Sequence, residues 1–504
     1  MPRAVRQRTK KQRGAVSGAP SAEQKPSPLL PRVLVPALML LALLYAFLAG
    51  FHTVFDFDMG WHLATGRWVV AHQAVPTTDV LSYTSPGAEW IYPPFAGVLL
   101  YGIFSAAGYA GLTWLCALVL AAIVTFLLRR SSQAQSAWAA ALAILAVPAL
   151  ALRATPRADL FTHLFFAIFI ALLWSYHEDR AEARSARLWL LPVLMLLWVN
   201  LHPGFVAGVG LIFAYLLVEA LELFFPARRS AAVSRLRRAS LPLAVAVVAT
   251  LANPYGPKVF KAALQLAGVQ PESQPGTGLM IGELEAVPLS FHALAELFDW
   301  RNPDSSFWWM VLAACVAVVI ALWRRRPDAA LLMASALYVA MQHQRYKGLF
   351  AIVVALVAPG ILAEAFSARG AAFKRAARWI SVSAALVLCL LTCVRIADLV
   401  TNRTYAATSN ATLFGAGESW WFPERAAAFI EREHLPGKPA VAPSLHGRAL
   451  DGDAAQSSGE PRLDRALPSR LPDAAVHAAA TGFARRVRQL LRQRRNGSLA
   501  PRAL

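Results

Sequence analysis

The chain has 504 residues, a net charge of +20 and a mean hydropathy of +0.46, with 57% hydrophobic and 15% charged residues. Soluble domains carry about 25% charged residues, so this composition excludes an ordinary cytosolic enzyme, a disordered chain and a small disulfide-stapled secreted domain. The positive charge raises a nucleic-acid partner, but Lys and Arg fall in short clusters between apolar runs, the arrangement of a multi-pass membrane protein, and no nucleic-acid-binding module accompanies them.

Residues 1–32 are polar and basic and read as a cytoplasmic N-terminal tail. The apolar run 33–51 is long enough to cross roughly 30 Å of hydrocarbon as a helix, and it reads as a retained signal anchor. Further apolar runs at 109–128, 137–151, 160–176, 188–201, 204–224, 240–253, 306–323, 329–342, 348–366 and 379–395 predict an all-α polytopic fold of about eleven transmembrane helices. The stretch 93–107 reads as a helix lying at or re-entering the outer interface. The transmembrane domain then covers 33–395, with a first outer loop at 52–107 bearing interfacial helices. Residues 396–438 begin an extracytoplasmic C-terminal region, and 439–504, rich in Ala, Arg, Pro, Ser and Gly, reads as a low-complexity, disordered tail.

Loop charge tests that topology. Arg129-Arg130, then Arg180, Arg184 and Arg187, then Arg228, Arg229, Arg235, Arg237 and Arg238, then Arg324–Arg326, then Arg369, Lys374, Arg375 and Arg378 fall in every second loop. The positive-inside bias puts those loops and the N-terminus in the cytoplasm and the C-terminal region outside. Cys116, Cys315, Cys389 and Cys393 all lie inside apolar runs and read as small core hydrophobes.

The first outer loop carries the densest polar pattern, FDFDMGWHLATGRW. Asp56 and Asp58 stand where the first span leaves the membrane, a costly place for carboxylates. Two residues apart, they share a face only in an extended segment. Trp61, His62, Thr65, Arg67 and Trp68 then fit a short amphipathic interfacial helix, with Asp79 further along the loop. The other outer loops add Arg153 and Arg157 (ALRATPRADLF), Asn200 and His202 (WVNLHPGF), Asn253, Tyr255 and Lys258 (LANPYG), and His343, Arg345 and Lys347 (MQHQRYKGLF). Cations outside run against the charge bias, and a phosphate is the simplest ligand that needs them. Ordinary turn chemistry and snorkelling account equally for any one of these loops. Glu283 and Glu285 sit in the loop 254–305.

The order D-x-D-x-x-W-H-L-x-x-G-R-W, then P-x-x-D-x-x-S-Y, carried by Asp56, Asp58, Trp61, His62, Gly66, Arg67, Trp68, Pro76, Asp79, Ser82 and Tyr83, resembles bacterial membrane proteins of the GT-C glycosyltransferase type, with a distant similarity to oligosaccharyltransferase catalytic subunits. LWVNLHPGF and LANPYG match the same group, and the resemblance covers roughly residues 30–435. It implies a sugar donor on a polyprenyl phosphate, an extracytoplasmic glycan, lipid or protein acceptor, and residence in a bacterial inner membrane. Asp58, ahead of Asp56, is then the base or metal ligand. His62, Arg67, Asp79, Arg153, Arg157, Asn200, His202, Asn253, Tyr255, His343, Arg345 and Lys347 are the substrate-binding candidates. A divalent metal, Mg or Mn, would take Asp58, Glu283 and Glu285. The Asn-Tyr turn, Gly-Gly-Tyr strand and D-G-R segment of such an outer domain are absent after Lys438. A lipid-linked glycan transporter and a non-catalytic scaffold of envelope assembly are the alternatives. The apolar runs carry almost no charge and the polar residues gather on one side, which favours surface chemistry over passage.

Overall fold

In the computed structural model the described residues are 29–56, 58–82, 87–129, 133–178, 182–266, 285–291, 295–367, 371–407, 412–419, 422 and 432. Contacts divide the chain after Gly447, and all described residues lie in the first unit. Tyr83, Glu283, most of the basic N-terminal tail and the whole of 439–504 lie outside them.

Helix α1 (Leu29–Gly50) is followed by α2 (Met59–His72), α3 (Phe95–Leu128), α4 (Gln133–Ala151), α5 (Ala158–Glu178), α6 (Leu190–Leu201), α7 (Phe205–Glu222), α8 (Pro226–Ala249) and α9 (Val259–Leu266). Then come α10 (Pro303–Trp323), α11 (Pro327–Gln342), α12 (Lys347–Ser367), α13 (Ala371–Val400) and α14 (Arg403–Ala407). The described residues contain no β-strand, only isolated bridges. An all-helical protein satisfies every backbone donor and acceptor locally, as a hydrocarbon environment requires.

Each of the eleven predicted apolar runs lies in a helix, but not all are membrane-length. Among the described residues seven helical segments are long and apolar enough to cross a membrane, and 135–151 and 185–201 are shorter apolar helices. The run 240–253 covers the second half of α8, whose first half carries the arginines, and the turn after it, and 329–342 lies within the 16-residue α11. The count of eleven is therefore not reached by length alone. Helix α3 is two helices joined at Gly108, whose φ of 60° breaks the helical geometry. Its first part, the ambiguous 93–107 stretch, packs on α2.

Burial ranks the helices. The apolar span containing α12 is 89% enclosed by protein, whereas that of α13 is 17% enclosed, so α12 is the central rod and α13 a peripheral one. Fully buried alanines on both partners, Ala351, Ala355 and Ala358 on α12 and Ala139, Ala140, Ala143 and Ala146 on α4, let those two helices approach closely. The cysteines do not all face the core: Cys116 is buried, but Cys315 and Cys393 are exposed on outward-facing helix surfaces.

Chain direction sorts the polar residues. Residues 51–58, 152–157, 202–204, 253–258 and 343–346 collect at one end of the bundle, and Arg129, Glu178, Arg187, 223–229, 324–326 and Glu364 at the other.

Candidate functional site: an acidic pair beside a polar-headed cavity

After α1 the backbone runs extended from Phe51 to Asp56, held by the returning segment 412–419. Thr53 N–H donates to Leu413 O at 2.8 Å, Val54 N–H to Gly417 O at 2.8 Å, and Ser419 N–H to Val54 O at 3.1 Å. Only then does α2 begin, with Asp58 at its N-terminal boundary. The Asp58 N–H donates to Asp56 Oδ1 at 2.8 Å. Asp58 itself has helical dihedrals, and this turn leaves both carboxylates facing one guanidinium. Arg157 Nη2 pairs with Asp58 Oδ2, and Arg157 Nε lies 3.6 Å from Asp56 Oδ2. Asp56 is buried and Asp58 is 42% exposed at its side chain, so Asp58 is the carboxylate a substrate can reach. Burial pushes the Asp56 carboxyl up, against the pull of Arg157 and the Thr155 hydroxyl.

The next turn of the loop anchors α5. Arg153, itself buried, sits 3.6 Å from Asp159 in the first turn of α5, where a carboxylate also meets the positive helix end. One turn on, His163 Nδ1 faces the Asp159 carbonyl at 3.2 Å, and its Nε2 is buried without a hydrogen-bond partner among the described residues.

His202 is positioned by a relay. Trp198 Nε1–H donates to Thr162 Oγ1 at 3.0 Å, and that hydroxyl lies 2.8 Å from His202 Nδ1. Gly204 N–H also donates to Nδ1, at 3.0 Å. With Nδ1 accepting, the proton is assigned to Nε2. A side chain at Gly204 would place Cβ 2.4 Å from Thr162 Oγ1 and 2.6 Å from His202 Nδ1, which explains the glycine of the HPG turn. Burial and the guanidiniums of Arg345 and Arg157 outweigh the pull of Asp159 and hold His202 at about 4, so its imidazole is neutral at physiological pH. His62 on α2 is likewise held well below its usual range by burial, with His202 and Arg157 adding to it.

Tyr92 is the meeting point. Its ring packs against those of Trp61, His62 and His202, with centroids 4.8, 5.8 and 6.2 Å away. Burial, Asp159 and Asp58 push its phenol up, while Arg157 and Arg345 act against them. One residue thus lies within electrostatic reach of both the acidic pair's Asp58 and Arg345, the cation of the fifth outer loop. Beside it a cavity of about 340 Å³ opens between α5, α7, α11 and α12. Asp159, His163, His202, Arg345 and Tyr346 line its polar head, and Leu211, Leu332, Val339 and Val353 are among its apolar walls. A cavity with one polar end and apolar walls accepts an amphiphile.

The remaining sequence-predicted residues have other surroundings. Asn200 donates to the carbonyls of Leu196 and Ala252, both at 2.8 Å. Asn253 donates to the carbonyls of Thr250 and Gly256. The Tyr255 hydroxyl lies 3.0 Å from Pro76 O and 2.9 Å from Tyr92 O, tying the first outer loop to α9's approach. Lys347 is buried against Asp304, 3.0 Å away, over the Phe307 ring, so it braces α12 on α10. Asp79 caps a turn: burial works to raise its carboxyl, but the N–H groups of Ser82 and Leu81 hold it below its usual range. Lys258 pairs with Glu89 on the surface. His343, half-buried, packs against Tyr346. Arg67 lies on α2 five residues past His62, on another face of that helix. Gly66 and Gly97 let α2 and the first part of α3 touch, since a Cβ on Gly66 would come 2.1 Å from Gly97 O.

Sequence reasoning missed Tyr92, Asp159, Thr162, His163 and Trp198. Asp159 and His163 stand four apart in an otherwise apolar helix, and ionisable pairs in such helices mark function; that spacing was available in the sequence.

Of the residues named for a divalent cation, Glu283 lies outside the described ones, and among the described residues no donor set for such an ion is assembled. Asp56 and Asp58 both face Arg157, and no three His, Cys, Asp or Glu side chains converge as a metal set among the described residues. Glu285 is exposed, its carbonyl taken by Gln344 N–H.

No protein-family model matches this chain, and no curated relative matches it. Solved structures do. The Archaeoglobus fulgidus oligosaccharyltransferase in its apo form is similar over 81% of this chain and 58% of its own, with a TM-score of 0.52 at 14% identity. The oligosaccharyltransferase AglB from the same archaeon, in complex with an inhibitory peptide and a dolichol-phosphate, gives a TM-score of 0.51 at 13% identity over the same shares. The chain spans little more than half the length of these neighbours. The acidic pair therefore sits on a polytopic helical fold similar to that of these oligosaccharyltransferases.

Proposed function

We propose that the chain is a membrane glycosyltransferase that moves a sugar from a polyprenyl-phosphate donor to an acceptor on the side of the membrane where Asp58 lies. The supporting observation is the juxtaposition at Tyr92: a partly exposed carboxylate on one side and, on the other, an amphiphile-shaped cavity headed by Arg345, His202 and His163. The resemblance of the fold to a protein crystallised with dolichol-phosphate supports the same reading.

In this reading the prenyl chain lies along the apolar walls between α7, α11 and α12. The phosphate meets the Arg345 guanidinium and the Nε2–H of His202, and Nε2 of His163 supplies a further polar contact. Asp58 takes the proton of the acceptor O–H as the new C–O bond forms at the anomeric carbon. The bond from that carbon to the phosphate oxygen breaks, and its electron pair leaves on the lipid phosphate. Arg345 and His202 stabilise that charge as it grows. Arg157 positions the two carboxylates. No step is routed through a metal. In this reading the membrane is a bacterial inner membrane, as the family resemblance implies, and the loop charges favour cytoplasmic arginine-rich loops.

The test is Asp58→Asn. The protein should insert normally and lose glycan transfer; unchanged transfer would instead support a transporter or a scaffold. Reporter fusions after residues 90, 157, 204, 347 and 420 should all report the outer side. A cytoplasmic signal at the first or third would split the site across the bilayer.

A further inference from the structure

The far end of the bundle holds a second, larger cavity that the transfer reaction does not use. It measures about 1460 Å³ and is formed by the ends of α3, α5, α8, α11 and α12 with the turn before α6. That exceeds the roughly 300–1,000 Å³ of an ordinary small-molecule cleft.

Its floor is a closed set of ion pairs. His177 Nδ1 lies 2.9 Å from Glu219 Oε1 and its Nε2 3.0 Å from Asp328 Oδ2. Each carboxylate also holds its own guanidinium: Arg235 approaches Glu219 at 2.7 and 2.8 Å, and Arg326 Nη2 is 2.8 Å from Asp328. Arg228 Nη1 likewise holds Glu222 at 2.6 Å. Glu219, Glu222 and Asp328 are 0%, 4% and 1% exposed. The buried acids are therefore neutralised within the floor; two further acids line the cavity, Glu178, 3.7 Å from Arg326, and the exposed Glu364.

The rim differs. Arg187 lines the cavity, is exposed, and makes no ion pair among the described residues. Arg129 lies on the same lining, its guanidinium 5.1 Å from the centre of the Phe126 ring. The lining also carries the hydroxyls of Ser175 and Ser230, while that of Tyr176 donates to the Arg235 carbonyl at 3.3 Å. One wall is apolar, built from Ile168, Leu172, Leu190 and Leu194. Guanidinium groups over hydroxyl donors suit a phosphate, and an apolar wall beside them suits an acyl or prenyl chain.

We propose that this cavity binds a phosphate group, with Arg129 and Arg187 as its recognition residues and the apolar wall as the seat of an attached lipid chain. The site is independent of the sugar-transfer reading and lies at the opposite end of α5.

The full chain, purified in detergent, is titrated with fluorescent phosphatidic acid and with phosphatidylcholine of the same chains. Inorganic phosphate and pyrophosphate are then tried as competitors. Phosphatidic acid should bind in preference to phosphatidylcholine. The pair Arg129→Gln with Arg187→Gln should weaken it roughly tenfold, with unchanged melting temperature, whereas Arg345→Gln should leave it unaltered. Pyrophosphate binding that the same pair abolishes, without lipid preference, supports a phosphate site fed from solution. Equal binding of the two lipids with no pyrophosphate binding overturns the proposal. So does equal weakening by Arg237→Gln, an exposed arginine outside the cavity lining, which would mark general surface attraction.

Discussion

The two ends of the bundle handle charge in opposite ways. At the far end each buried carboxylate has its own arginine, and His177 joins two of the pairs. At the near end the pairing is looser. Two aspartates share Arg157, Asp58 stays substantially exposed, and His163 keeps a buried nitrogen without a partner among the described residues. Closed sets of ion pairs hold helices together; half-satisfied groups beside a cavity are held in place for something that arrives. The difference predicts that substitutions near Asp58 cost activity and substitutions around His177 cost stability.

The largest effect should come from Asp58→Asn, which removes the proton acceptor. Transfer should fall by roughly 10²–10⁴-fold in a membrane assay, with thermal unfolding in detergent unchanged. A large loss of stability instead would erase the contrast between the ends. Next, Glu219→Ala leaves Arg235 and His177 without their carboxylate, and breaking such a buried pair costs roughly 3–5 kcal/mol. Its melting temperature should drop steeply while the activity of the surviving folded fraction persists.

Gly204→Ala sharpens the contrast from the near side. The added carbon meets Thr162 and His202, so the relay that orients the imidazole must shift. We expect roughly tenfold lower kcat/KM with a stability loss of about 1–3 kcal/mol.

The smallest effect concerns pH. His202 sits at about 4 in the folded protein against 6.5 ordinarily. As pH falls from 6.5 toward 4 the unfolded chain binds this proton first, so stability declines across that window. His202→Gln should flatten that part of the melting-temperature profile; an identical profile would show that another group is responsible.

Several of these features were legible before any coordinates. Apolar runs fixed the helices, because a membrane leaves the backbone no alternative. Alternating arginine clusters sorted the loops. The D-x-D spacing announced that the two carboxylates share a face only if extended; Asp58 has helical dihedrals instead, and a turn with Asp58 N–H on the Asp56 carboxylate brings both to Arg157. The expectation that the helices are almost free of charge was too simple: Asp159, Glu219, Glu222 and Asp328 all lie within them. A single acid in an apolar run reads as an exception until its partner, dozens to over a hundred residues away, is seen beside it.

The chain's own pattern of apolar runs and basic clusters was thus enough to settle helical class, chain alternation and the region of the acidic pair, since these depend on local solvation. Tertiary packing alone decided that Arg157 would bridge the two aspartates, that Asn200, Asn253 and Tyr255 would spend their polar atoms on backbone carbonyls, and that Tyr92 would join four loops. Those outcomes depend on distances between segments remote in sequence, and on which buried polar group finds which partner first satisfied.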